Sequence, residues 1–184
     1  IIWESACRKI REWIDKGIEP VPISVNISRE YIHTFDVVGE MLHLVNKYDI
    51  PIKLLELEIT ETTDSEGVSD VVQKMKDAGF TMLMDDFGSG YSSLNMLQKT
   101  QFDVLKIDRG FLSEFMESSR GRKIISHTIS MSRDIGLDII AEGVETPEQA
   151  SFLSDCGCDS AQGFYYSKPI TQEEFDKMLV EVNK

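Results

Sequence analysis

The chain has 184 residues, 41% hydrophobic and 28% charged, which suits one soluble globular domain (residues 1–184) with a substantial core. Its net charge of −13, from 32 acidic against 19 basic residues, disfavours nucleic-acid polymers and anionic membranes as partners. No apolar run approaches the ~20 residues of a membrane span, no signal pattern opens the chain, and three cysteines make no disulfide framework. The expectation is a cytoplasmic protein with reduced thiols.

In chain order, residues 3–16 read as an amphipathic helix, with Trp3, Ala6, Ile10, Trp13 and Ile14 on one stripe and Gly17 as its stop. Short apolar strands then alternate with helices. The strands are PISVNIS with Asn26 near its end, KLLELEIT with Glu58, FTMLMDDF with Asp85 and Asp86, DVLKID with Lys106, LDIIAEGV with Glu142, and AQGFYYS with Gln162. The intervening helices are predicted over 30–47, 65–78, 92–99, 113–135, 147–156 and 171–182. Thr146 before Pro147, and Thr171 with Glu174, mark two helix starts, while Gly79 and Gly136 end helices just before strands.

This alternation implies a mostly parallel sheet, and strands apolar on both faces require helices to cover it. In a parallel β/α barrel the active site is built at the C-terminal ends of several strands. Polar or ionisable residues at six successive strand ends describe such a face. An eight-unit barrel takes about 250 residues, whereas this chain offers six strands and begins with a helix. The expected fold is therefore α/β, a (β/α)8 TIM-type barrel that is incomplete, its first two strand units missing. A six-stranded open sheet is the alternative, and its two edges would need covering.

The chemistry concentrates in a few segments. Asp85 and Asp86 put two carboxylates side by side, which desolvation and repulsion disfavour unless cations neutralise them. Gly88 and Gly90 make the following loop permissive. Alternation places Glu56 and Glu58 on one face and Leu55, Leu57 and Ile59 on the other, so Glu58 points into a closed barrel as a candidate metal ligand. Asn26 adds a neutral oxygen of the kind hard divalent cations accept. Lys106 among metal-bound carboxylates could orient a water and stabilise phosphoryl charge. Glu142 and Glu145 share one loop, and Gln162 closes the series as an uncharged donor and acceptor. Together these groups fit two-metal hydrolysis of a phosphodiester. No GxSxG elbow, P-loop or dinucleotide fingerprint supports other chemistries.

The segments VNIS (25–28), LEITE (57–61), DDFGSGYSSL (85–94), LKID (105–108), AEGVE (141–145) and QG (162–163) resemble, in order, the signatures of the EAL family of bacterial cyclic-di-GMP phosphodiesterases. The resemblance runs from the first helix to Lys168-Pro169. It implies hydrolysis of cyclic di-GMP to linear pGpG with two Mg²⁺ or Mn²⁺ ions. It also implies Asn26, Glu58, Asp85 and Asp86 as metal ligands, Lys106 as the residue holding the catalytic water, and Glu142 as a carboxylate beside the metals. Gln162 would contact a metal-bound water, and Glu145 joins that substrate and metal-water group. The loop Phe87, Gly88, Ser89, Gly90, Tyr91, Ser92 and Ser93 resembles a mobile segment coupling dimerisation to catalysis, with Glu61 as its anchor. Further implications are a homodimer and fusion to, or control by, other signalling domains. The Glu-Ala-Leu tripeptide that names the family occurs nowhere in the chain, and the expectation is that the two missing strands carry it. A catalytically silent module that binds the nucleotide or a protein is the competing reading.

Overall fold

A computed structural model of the chain describes residues 2–34, 36–60, 67–90 and 93–182. Its order begins α1 (Ile2–Asp15), β1 (Ile23–Asn26), α2 (Arg29–Thr34), α3 (Val37–Tyr48), β2 (Leu55–Thr60), α4 (Val68–Ala78), β3 (Thr81–Phe87) and α5 (Ser93–Lys99). It continues β4 (Val104–Ile107), α6 (Arg109–Met116), α7 (Ser119–Asp134), β5 (Asp138–Ala141), α8 (Pro147–Asp155), β6 (Ser160–Ala161) and α9 (Gln172–Val182). The strands form a six-stranded sheet in the order β1-β2-β3-β4-β5-β6, every pairing parallel. This is the incomplete barrel expected from the alternation, with β1 and β6 at its two edges.

Side-chain alternation divides the sheet into two faces. Val25, Leu55, Leu57, Ile59, Met82, Met84 and Leu105 turn outward and are buried in a core shared with α1, α3 and α4. Ile107, Ile139 and Ala141 join a second core with Leu112, Ile125, Ile129 and Leu153 of α6, α7 and α8. Glu58, Leu83, Asp85, Val104 and Lys106 alternate with these residues and occupy the other, concave face. The concave face is therefore where the strand-end polar groups gather.

Three sequence expectations change. The helix predicted over 30–47 is two helices, because Asp36 accepts a hydrogen bond from Gly39 N and caps α3 afresh. The helix predicted over 113–135 is also two, α6 starting earlier at Arg109. Asp108 caps α6 by accepting from Gly110 N and Phe111 N, and Ser118 caps α7 by accepting from Gly121 N. The segment AQGFYYS pairs only at Ser160–Ala161 and then turns, with Tyr166 N and Ser167 N both donating to Gly163 O. The anticipated caps at Thr146 and Thr171 are present, the first as a capping box with Gln149 and the second exchanging bonds with Glu174.

Beyond the strands, α9 returns to α1. Lys9 Nζ lies 2.6 Å from Asp176 Oδ2, Trp13 Nε1 donates to Asp176 Oδ1 at 2.7 Å, and the Trp13 and Phe175 rings pack 5.9 Å apart. The helical layer thus meets itself where the strands do not. Phe164, Tyr165, Tyr166 and Met178 remain exposed beside this seam. Cys7, Cys156 and Cys158 are free thiols, and burial pushes Cys7 up to about 11, which keeps it unreactive. No helix among the described residues is long and apolar enough to cross a membrane.

Candidate active site

Lys106 is the hub of the concave face. Extension of the register Leu83↔Val104, Met84↔Leu105 brings Asp85 opposite Lys106, while Glu58 comes from β2 and Glu142 from the residue after β5. The ammonium lies 2.8 Å from Glu58 Oε1, 2.9 Å from Asp85 Oδ1 and 2.8 Å from Glu142 Oε1. Its side chain is 9% exposed, so the snorkelling geometry open to a strand lysine is not adopted. Burial disfavours the charged lysine, but hydrogen bonds to Glu142, Glu58 and Asp85 outweigh it and raise the Lys106 pKa above its usual value. At neutral pH the group is an ammonium: a donor and a positive charge, not a base.

Asp86 reaches the same cluster by an irregularity. The pairing passes from Met84↔Leu105 to Phe87↔Ile107, so β3 carries one extra residue at Asp85–Asp86, a β-bulge. Asp86 takes a left-handed φ of 59°, and its N–H donates to Asp85 Oδ1 at 3.0 Å. Regular alternation would send Asp86 to the helix side and Phe87 to the concave side. The bulge reverses this, returning Phe87 to the outer core and leaving Asp86 among the acids. Burial raises the Asp86 pKa, and Asp85, Asp108 and Glu142 raise it further against the opposing pull of Lys106.

Gln162, just beyond β6, donates from Nε2 to Glu142 Oε1 at 2.7 Å, the same oxygen that meets Lys106. Five expected residues, Glu58, Asp85, Lys106, Glu142 and Gln162, therefore form one connected network, with Asp86 beside it. Asn26 stands in register with Glu58 at the end of β1 with its side chain exposed, and its carbonyl accepts from Trp3 Nε1 at 3.0 Å. Glu145 lies apart from the hub, paired with Arg109 Nη2 at 2.6 Å. Phe87 packs edge-on against Phe111, and Gly88, Ser89 and Gly90 turn away after it, Ser89 N donating to Asp86 O. Ser93 opens α5, whereas Glu61, Tyr91 and Ser92 lie outside the described residues.

The donors are carboxylate and amide oxygens with no thiolate or imidazole among them, a set that fits a hard divalent cation. Three carboxylate oxygens already converge on one positive centre, the lysine ammonium. Among the described residues no group of three His, Cys, Asp or Glu side chains, these carboxylates included, is spaced to hold a metal ion as the chain stands. Beside the network lies a cavity of about 490 Å³ lined by Arg109, Glu142, Gln162, Phe164, Lys168 and Phe175. Arg109 was not singled out from sequence. The signal for it was its place directly after the strand-end LKID segment.

An acidic, lysine-centred face thus lies at the C-terminal ends of the strands of a parallel α/β half-barrel. The chain belongs to the EAL domain family, whose match covers residues 1–169. It is 34% identical over 183 residues to the signaling protein YkoW of Bacillus subtilis, covering 98% of this chain and 23% of that protein. It is 35% identical over 176 residues to the bifunctional diguanylate cyclase/cyclic di-GMP phosphodiesterase MucR of Pseudomonas aeruginosa, covering 94% of the chain and 26% of MucR. The chain therefore spans about a quarter of each of these relatives. Among solved structures, the MucR phosphodiesterase in complex with c-di-GMP superposes with a TM-score of 0.86 at 34% identity, over 95% of this chain and 72% of that one. The EAL domain of Mycobacterium smegmatis DcpA gives 0.90 at 32% identity, over 97% and 82%.

Proposed function

We propose that residues 1–184 act as one EAL domain that hydrolyses cyclic di-GMP to linear pGpG in bacterial second-messenger signalling. The observation that carries this reading is the buried Lys106 ammonium held by Glu58, Asp85 and Glu142 at the strand ends of an EAL-family sheet. Water adds to one phosphodiester phosphorus, the bond to the 3′ oxygen breaks, and that oxygen takes a proton. Mg²⁺ or Mn²⁺ ions held by Asn26, Glu58, Asp85 and Asp86 would supply Lewis acidity and charge neutralisation when bound. Lys106, kept protonated, donates to the attacking water and to developing phosphoryl charge. Glu142, aligned by Lys106 and Gln162, is the carboxylate beside that water that accepts its proton. Arg109 and Lys168 offer cations for phosphate, and Phe164 and Phe175 offer rings for a purine, in the adjoining cavity.

Finer parts of the same reading are a cytoplasmic location, fusion to other signalling domains and a homodimer. In the dimer a second copy would cover the roughly 880 Å³ groove beside Gly88 and Gly90, where Leu94 and Ile124 are exposed. The test is incubation of the chain with cyclic di-GMP and Mn²⁺ or Mg²⁺, with pGpG resolved by chromatography. Turnover that disappears in Lys106→Ala and Glu58→Ala is the expected result. A second reading, a silent nucleotide-binding module, draws on Lys106 itself occupying the focus of the carboxylates. Saturable binding without product in the unaltered protein would replace the first reading with the second.

A further inference from the structure

The loops that bring Glu142 and Gln162 together are tied backbone to backbone. Gln162 N donates to Ala141 O at 2.8 Å, Val144 N donates to Gln162 O at 3.0 Å, and Tyr165 N donates to Val144 O at 3.0 Å. Gly163 sits at the centre of this tie with φ of 155°, in a region that side chains rarely adopt. A Cβ there would overlap the backbone N and O of Val144, the two atoms that make the inter-loop bonds. Neither atom can retreat without breaking a bond that sets the spacing of the loops. Gly143, on the other side of the same loop at φ of 66°, faces the Cβ, Cγ and Cδ of Arg109 rather than an inter-loop backbone bond.

We propose that Gly163 is a positioning residue for the hydrolysis described above. Its lack of a side chain lets the loop after β6 seat on Val144, and this seating holds Gln162 Nε2 on Glu142 Oε1. That oxygen also meets Lys106 Nζ at 2.8 Å, so its direction is shared by two donors 20 residues or more away in sequence. Loss of the Gln162 donor leaves Glu142 Oε1 with the Lys106 ammonium, itself anchored by Glu58 and Asp85, and lets the Glu142 carboxylate pivot about that contact. The consequence for rate rests on the hydrolytic reading, whereas the seating itself does not. Gly136 is a fitting contrast. It has φ of 83°, a Cβ there meets nothing, and it precedes β5 at the opposite end of the strand.

The test follows the Gln162 side-chain amide by ¹H–¹⁵N NMR, assigned by its loss in Gln162→Ala, together with steady-state hydrolysis. In the unaltered chain this amide is expected at a shifted position, as a donor to a carboxylate. In Gly163→Ala it should move to the position of solvent-exposed glutamines, and kcat should fall by up to about 10²-fold, the cost of misplacement by about 1 Å, with little change in KM. Gly136→Ala should lower the melting temperature while leaving both the amide and kcat in place. A Gly163→Ala protein that keeps the Gln162 signal, or loses it while keeping kcat, overturns the proposal. If the unaltered chain turns over no cyclic di-GMP, the hydrolytic reading fails, and the amide signal alone supports or overturns the seating. If Gly163→Ala does not fold, hydrogen exchange in the unaltered chain decides: Val144 and Tyr165 amides protected like those of β5 support the tie, and exchange at open-loop rates overturns it.

Discussion

Lys106→Met keeps most of the lysine's length and volume and removes its charge. The ammonium lies within 2.9 Å of three carboxylates, and the side chains of Lys106, Glu58, Asp85 and Glu142 are 9%, 8%, 12% and 20% exposed. Removing one partner from a buried ionic group costs about 3–5 kcal/mol, because the groups left behind keep their desolvation without compensation. For a domain of this size each kcal/mol moves the melting temperature by about 2–4 °C, so the expected loss is roughly 6–20 °C. The assay is thermal and urea unfolding at several pH values with a chelator present. The raised pKa of Lys106 means that its contribution is fully present below the ordinary lysine value and is lost only as pH climbs through the folded value. The deficit is therefore constant between pH 7 and 9. Asp86 sets the acid side. Its pKa is already raised by burial and its acidic neighbours, and Lys106 is the influence holding it down. Without Lys106 that value rises further. A group with a raised folded pKa favours the fold below its unfolded value and loses that benefit as pH rises, so the deficit of Lys106→Met should shrink as pH falls from 7 toward 4. An unchanged midpoint at pH 7, or a deficit independent of acidification, refutes the hub described here.

Other outcomes are accessible to the same measurements. Asp86→Asn removes a carboxylate disfavoured by burial and by Asp85, and asparagine tolerates the left-handed φ of 59°. It should raise the urea midpoint at pH 7, with the gain fading as aspartate protonates in acid, and a drop at pH 7 would contradict the raised pKa. Asp176→Asn should lower stability by about 1 kcal/mol, discounted for the partly exposed carboxylate, and should alter Trp13 fluorescence through its Nε1 bond. Burial opposes ionisation of Asp176, but Lys9 and Trp13 hold its pKa below the usual value. Its contribution is therefore present above the unfolded pKa and is lost as pH falls through the lower folded one, so variant and parent should converge in strong acid. Mn²⁺ or Mg²⁺ should raise the melting temperature of the parent and not of Glu58→Gln, since a ligand of the native state stabilises it by mass action. Equal shifts in both would remove Glu58 from the ligand set.

Much of the fold was legible because its signals are local. Apolar strands such as LEIT and TMLM alternate with capped helices, alternation gives the inward side of Glu58, and strand-end position groups it with Asp85 and Lys106. The features that were not legible depend on contacts distant in sequence or on one-residue irregularities. Nothing in DDF announces a bulge, yet the bulge decides that Asp86 rather than Phe87 joins the acids. Asp36 and Ser118 sit inside continuous amphipathic runs, where a capping side chain competes with helix continuation and wins. The aromatics of GFYYS have high strand propensity, but the backbone tie at Gly163 ends the ladder after two residues. From sequence, Lys106 is a strand-end lysine that orients the catalytic water, one of several groups at the mouth of the sheet. Its position as the centre emerges only once β2, β3 and the loop after β5 are assembled around it.

The clasp between α1 and α9 carries a kinetic consequence. Lys9 and Trp13 bond to Asp176 across 167 and 163 residues of sequence, among the longest separations the chain allows. Loop closure of that span costs entropy before any contact rewards it, so this contact belongs late in folding. As the chain emerges from the ribosome, α1 can pack on β1 and α3 while its Lys9 and Trp13 still lack their partner carboxylate. Lys9 keeps Glu12 as a partner within α1, but its shorter contact and the Trp13 bond both wait on α9, so a chain stopped before Gln172 would leave this seam half-assembled and open to proteases and chaperones.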